Sequence, residues 1–192
     1  MTSKIELERF RLTSSRPFDE VLASIKGAVG HPDMVEFIFF SRKEHLMPMI
    51  DVYTAAGTFV DKNKLAQDLA NAVMKWEGVP STDLFKKNTA AFVHELPSDA
   101  ISNAAGDNNY VRVQVLTPVN VLNREKQVGV VRELTDIVAA AAGDRTLANR
   151  TWVLITESPD GGWGINGQAF TNADIVASAR AELGNSQGTK GS

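Results

Sequence analysis

The chain has 192 residues, 43% of them hydrophobic and 22% charged, with a net charge of −3 and acids and bases interspersed, so it falls among ordinary soluble globular proteins of one or two small domains. No basic patch suggests nucleic acid, no apolar run reaches membrane-spanning length, and the first residues alternate in charge where a signal peptide needs an apolar core; a cytoplasmic protein with no nucleic-acid or membrane partner is expected. The lack of cysteine removes disulfides, thiolate nucleophiles and cysteine-ligated zinc together, and His31, His45 and His94 lack the close pairing of a metal-binding helix, so no metal is expected.

Taken in chain order, residues 1–46 read as an incomplete N-terminal β-α extension. Ile5, Leu7, Phe10 and Leu12 form a strand, and Ser15 caps a helix that carries Phe18, Val21, Leu22 and Ile25 on one face. A strongly apolar run from Met34 to Phe40 follows. Three elements in so few residues cannot enclose a core of their own. The charged junction Ser41-Arg42-Lys43-Glu44-His45-Leu46 ends this part, and the main domain is expected over 47–176, with a helix end and a small, polar, disordered tail over 177–192.

The main domain opens on Met47-Pro48-Met49-Ile50-Asp51-Val52-Tyr53, whose alternation predicts a half-buried strand, with the proline at its start where a missing N–H does least harm. Within the chain the Pro48 nitrogen is an amide, its lone pair delocalised into the carbonyl of Met47. Were translation to begin at Met47 and that residue be removed, the same nitrogen would be a free secondary amine, able to act as a base or nucleophile.

From Pro48 to about Asp174 the sequence repeats. Leu65 to Val73 and Val130 to Val138 read as amphipathic helices that end at Gly78 and Gly143. An alternating strand precedes each, with Ile50 and Val52 in the first copy and Val111, Val113 and Val115 in the second; another follows each, Thr89 to Pro97 and Thr151 to Pro159. Asn108-Asn109 is read as the turn between copies. The expected class is α+β: two β-α-β units forming one four-stranded mixed sheet with both helices on one face. The other face is left uncovered, which predicts burial by oligomerisation.

At this point the residues resemble the tautomerase superfamily. The likeness rests on Met-Pro opening a strand, on the duplicated strand-helix-strand unit, and on Thr156-Glu157-Ser158-Pro159-Asp160-Gly161-Gly162-Trp163-Gly164-Ile165-Asn166-Gly167. That run is similar to the Glu…aromatic-Gly-Ile-Gly-Gly ending of 4-oxalocrotonate tautomerase-like units, with Asn166 in place of a glycine. In length and two fused units the chain looks most like the malonate semialdehyde decarboxylase and cis-3-chloroacrylate dehalogenase group, which implies a homotrimer.

The resemblance implies Pro48 as the catalytic group, acting without metal or organic cofactor, its amine pKa lowered by an apolar pocket. Gly78-Val79-Pro80-Ser81-Thr82-Asp83 is similar to a run of the decarboxylase and makes Asp83 the second catalytic candidate. Trp163 and Ile165 are expected to wall the substrate pocket. The family's arginines are replaced by Asn120-Val121-Leu122 and around Thr58, and the dehalogenase histidine falls near Val73; Arg112 is the strand arginine that could substitute for the missing carboxylate clamp.

Each of these residues also has a plainer reading: Pro48 as a strand-start proline, Asp83 as a turn or cap residue, Trp163 as a packing anchor, and Arg112 as a surface arginine. The expected function is an isomerase that interconverts enol and keto forms of a small keto acid or related carbonyl compound. The alternatives are a cofactor-free decarboxylase or hydratase of a small acid, and a catalytically inactive trimer in which Pro48 stays internal.

Overall fold

The computed structural model describes residues 47–79 and 81–178. The expected N-terminal strand and helix, Pro80 of the Gly-Val-Pro run and the polar tail lie outside the described residues. In β1 (Met49–Ala55) Ile50, Val52 and Thr54 are buried and the residues between them half-exposed, as the alternating sequence requires of a strand covered on one side. A central strand must satisfy its backbone on both edges, and β1 does so with two different partners. It runs parallel to β2 (Ala90–Leu96), from Met49 against Ala90 to Ala55 against Leu96. On its other edge it is antiparallel to β3 (Val111–Pro118), with Ile50 opposite Val115 and Val52 opposite Val113. β3 in turn runs parallel to β4 (Thr151–Ser158), giving the order β2-β1-β3-β4. The sheet is therefore the mixed four-stranded α+β arrangement expected from two fused β-α-β units.

The crossovers are α1 (Lys62–Glu77) and α3 (Arg124–Ala142), and both begin and end on the residues that the chemistry of helix ends requires. The Asp61 carboxylate accepts from Lys64 N–H at 2.9 Å and the Asn123 side chain from Lys126 N–H at 2.9 Å, satisfying amides that have no intrahelical partner. Gly78 (φ 78°) and Gly143 (φ 67°) close the two helices in the left-handed conformation that glycine adopts without a Cβ clash. Leu65, Leu69 and Val73 of α1 and Val130, Leu134 and Val138 of α3 pack with Ile50, Val52, Val113 and Val115 into one core on one face of the sheet. The helices meet where Gly129 of α3 lies beneath the Trp76 indole, so closely that a Cβ there would be 2.1 Å from the ring. The indole N–H donates to Glu133 Oε2 at 2.7 Å.

The opposite face carries Phe92, Trp152 and Leu154, which are 51%, 47% and 46% exposed. No described element covers them. None of the described helices is long and apolar enough to cross a membrane.

Three local elements were not legible as such. α2 (Asp83–Asn88) follows α1 and drives Phe85 into the interior. β5 (Trp163–Ile165) and β6 (Gln168–Phe170) form a hairpin turned by Asn166 (φ 53°) and Gly167 (φ 77°). Two successive residues at positive φ match the tight turn that favours Asn-Gly, which explains why asparagine can stand where the similar run has glycine. Residues 172–178 are helical, with Thr171 and Asp174 exchanging hydrogen bonds across the first turn.

Candidate active site

Pro48 immediately precedes β1 and is buried. The residue bonded to its nitrogen, Met47, is only 2% exposed and packs in a second apolar cluster with Met74, Phe85, Val121, Trp163 and Ile175. The Pro48 nitrogen is therefore bonded to a residue of this cluster. As an amide it has no lone pair available for protonation. Each wall comes from a different element: Met74 from the last turn of α1, Phe85 from α2, Val121 from the loop after β3, Trp163 from the hairpin.

Trp163 is 6% exposed and Ile165 packs against the same cluster, so the structure brings Met47, the residue before Pro48, together with Trp163 and Ile165. Asp83 and Arg112 lie elsewhere. Asp83 opens α2 at the surface, where a hydrogen bond from Lys87 Nζ at 2.9 Å and the charge of that lysine hold its carboxyl below the usual carboxylate range. Arg112 projects from the helix-free face, its guanidinium 4.9 Å from the centre of the Tyr53 ring. Tyr53 stacks on His94 at 4.6 Å, and His94 Nε2 lies 2.6 Å from Asp51 Oδ1. This row runs along the exposed side of β1, β2 and β3, whereas the cluster around Met47 takes its walls from α1, α2, the loop after β3 and the hairpin, with Met49 and Leu116 packed against it.

The positions of the missing arginines now have a physical account. Val121 is part of the Pro48 cluster and Leu122 part of the main core, at 6% and 3% exposure. A guanidinium at either place would be stripped of water without a partner. Asn120, at φ 68°, turns the chain so that its N–H reaches Glu157 Oε1 at 3.2 Å.

Sequence reasoning missed Glu77. Its side chain is buried at the end of α1, where Thr117 Oγ1 donates to Oε1 at 2.7 Å and Oε2 has no hydrogen-bond partner among the described residues. Burial in an apolar surrounding pushes its pKa up to about 8, and the Thr117 hydrogen bond and the charge of Lys126 only partly oppose the shift. Lys126 Nζ sits on the carbonyl oxygens of Glu77 and Val121 at 3.1 and 3.2 Å, capping α1 from α3. A signal was present: Leu69, Val73 and Glu77 succeed one another at four-residue spacing, so the apolar stripe itself leads to the glutamate.

Neither protein-family models nor curated protein sequences match the chain. Solved structures do. A fused 4-OT wild-type asymmetric trimer matches at 22% identity and a TM-score of 0.53, over 70% of this chain and 98% of that one. A fused 4-OT wild-type symmetric trimer matches at 17% identity and a TM-score of 0.55, over 66% of this chain and 97% of the other. A macrophage migration inhibitory factor-like protein from Entamoeba histolytica matches at 16% identity and a TM-score of 0.52, over 65% and 99%. With its two β-α-β units, mixed sheet and helices on one face, the chain has the fold of the fused 4-OT proteins.

Proposed function

We propose that the chain is a member of the tautomerase superfamily and acts as a cofactor-free isomerase, interconverting enol and keto forms of a small keto acid or related carbonyl compound, with Pro48 as its base. The reading applies to the form in which Pro48 is the first residue. One observation carries it: the group bonded to the Pro48 nitrogen, Met47, fills an apolar cluster walled by Met74, Phe85, Val121 and Trp163. Without Met47 the nitrogen is an amine facing a hollow lined by those side chains. Such surroundings disfavour the ammonium form and bring a secondary amine toward the neutral range in which a general base works.

The lining also bears on the substrate. Val121 and Leu122, at the positions where the resemblance implies arginines, are apolar, and Val121 belongs to the cluster around Met47, which favours a substrate with one polar end and an apolar body. A decarboxylase needs Asp83 beside the proline, and its surface pairing with Lys87 gives that reading no support. Exposed Phe92, Trp152 and Leu154 on the helix-free face support a homotrimer, the assembly named for fused 4-OT structures.

The buried position of Met47 also supports the second reading, in which the full chain is an inactive relative whose site is plugged by its own preceding residue. Both readings are tested with one pair of proteins, the full chain and a chain starting at Pro48. The expected result is conversion of an α-keto acid enol by the shorter form alone, lost in Pro48→Ala. A structural neighbour at 17% identity and a TM-score of 0.51 was determined as Pt0534 inactivated by 2-oxo-3-pentynoate. The same reagent should add its mass to Pro48 in the shorter form only. Absence of both turnover and adduct in the shorter form would leave the inactive trimer as the reading.

A further inference from the structure

Extending the register of β1 and β3 by one residue brings Pro48 toward Thr117, whose hydroxyl holds Glu77. One step beyond Met49 against Leu116, the antiparallel register of β1 and β3 sets Pro48 beside Thr117. Both lie on the helix-facing side, since Ile50, Val52 and Thr54 alternate away from Pro48 and Val111, Val113, Val115 and Thr117 are all buried. Facing residues in such a pair have Cβ atoms about 4.5–5.5 Å apart. The Thr117 hydroxyl then reaches Glu77 at 2.7 Å. Glu77 also lies one helical turn beyond Met74, which shares the second apolar cluster with Met47. The charged group set against Glu77 is Lys126, from α3; β3 contributes the neutral hydroxyl of Thr117, and from the start of β1 comes Pro48 itself.

We propose that Glu77, oriented by Thr117, is a positioning residue of the Pro48 site that shares protons with the Pro48 amine once that nitrogen is free. The inference rests on the proline reading above and adds a second titrating group to it. With the amine neutral, Glu77 holds its proton, because an isolated carboxylate there would be desolvated and Oε2 has no donor among the described residues. Protonation of the amine places a positive charge beside the carboxyl and draws its proton off, so that one proton is distributed over two sites. Two groups coupled in this way lose their protons in two steps that belong to the pair. The carboxyl thereby limits how far the apolar pocket can depress the amine, keeping it basic enough to accept a proton from an enol.

The test needs no turnover. In the full chain, the Glu77 carboxyl is followed by carbon-13 NMR; it should titrate well above the ordinary carboxylate range and move higher in Thr117→Val. In the chain starting at Pro48, which retains every strand and helix described above, the amine is followed by nitrogen-15 NMR. It should titrate in two steps, which Glu77→Gln collapses to one, with a midpoint lower by about one pH unit or more. Thr117→Val should spread the two steps further apart. An ordinary Glu77 titration, or an amine titration unchanged in both variants, would overturn the proposal. A collapsed amine titration in a protein that turns nothing over would sustain it while removing the isomerase reading.

Discussion

At the scale of single residues, Glu77 ties folding to pH. Its carboxyl has an ordinary pKa of 4.5 when exposed and about 8 in the folded chain. The unfolded chain therefore releases this proton from about pH 4.5 upward while the folded chain keeps it to about pH 8. Over that window the unfolded state binds fewer protons, so stability falls as pH rises, and it levels off above pH 8. The shift corresponds to at most about 5 kcal/mol. Urea unfolding of the full chain at pH 5 and pH 9 should show this loss, and Glu77→Gln, which still accepts the Thr117 hydrogen bond, should remove most of it. A slope equally steep in the variant would place its origin in other groups. The spacing from Leu69 through Val73 points to burial of Glu77, but its hydrogen-bond partner belongs to β3, forty residues further along the chain, and no local pattern reveals that.

Among elements, the contact of α1 with α3 is the most tightly specified. Gly129 leaves no space for a Cβ under the Trp76 ring, and Glu133 accepts from both the indole N–H and Lys75 Nζ, at 2.7 and 2.5 Å. Gly129→Ala gains helix propensity but must displace the indole, and overpacking of this kind costs about 1–3 kcal/mol. Chemical denaturation should show a net destabilisation. In a Trp76→Leu background the same substitution should cost little or become favourable, because the two positions are coupled by direct contact. Equal costs in both backgrounds would mean that the ring is not the obstacle. The C-terminal ends of both helices were readable from Gly78 and Gly143, because such caps are local chemistry, whereas the caps Asp61 and Asn123 were not read from the sequence. Nor was α2, since its six residues are held by Phe85 entering the second cluster rather than by any periodicity of their own.

For the whole molecule, the helix-free face sets the expected assembly. Tyr110 stacks on Trp152 at 4.6 Å, and Trp152, Leu154 and Phe92 stand exposed along the sheet. Under the trimer reading these side chains are buried against other copies. Sedimentation of the full chain should give a trimer, and Trp152→Glu combined with Leu154→Glu should give folded monomers, because carboxylates cannot be desolvated there without partners. A chain that sediments as a monomer before substitution would exclude the assembly. The same face carries Arg112, set over the Tyr53 ring.

The sequence by itself determined the four strands of the sheet, the two long helices and the glycines that end them, the internal repeat, and through these the mixed sheet and the place of Pro48 at the start of a strand. All of these follow from periodicity and from hydrogen bonding within a few residues. Only the tertiary structure decided which side chains meet. It buried Met47 and Trp163 in one cluster, turned Val121 and Leu122 inward where a clamp of arginines was sought, sent Asp83 and Arg112 to the surface, and set Glu77 beside Thr117. Those outcomes depend on register and on the approach of elements distant in the chain, where desolvation decides whether a carboxyl remains an ion or becomes a neutral acid.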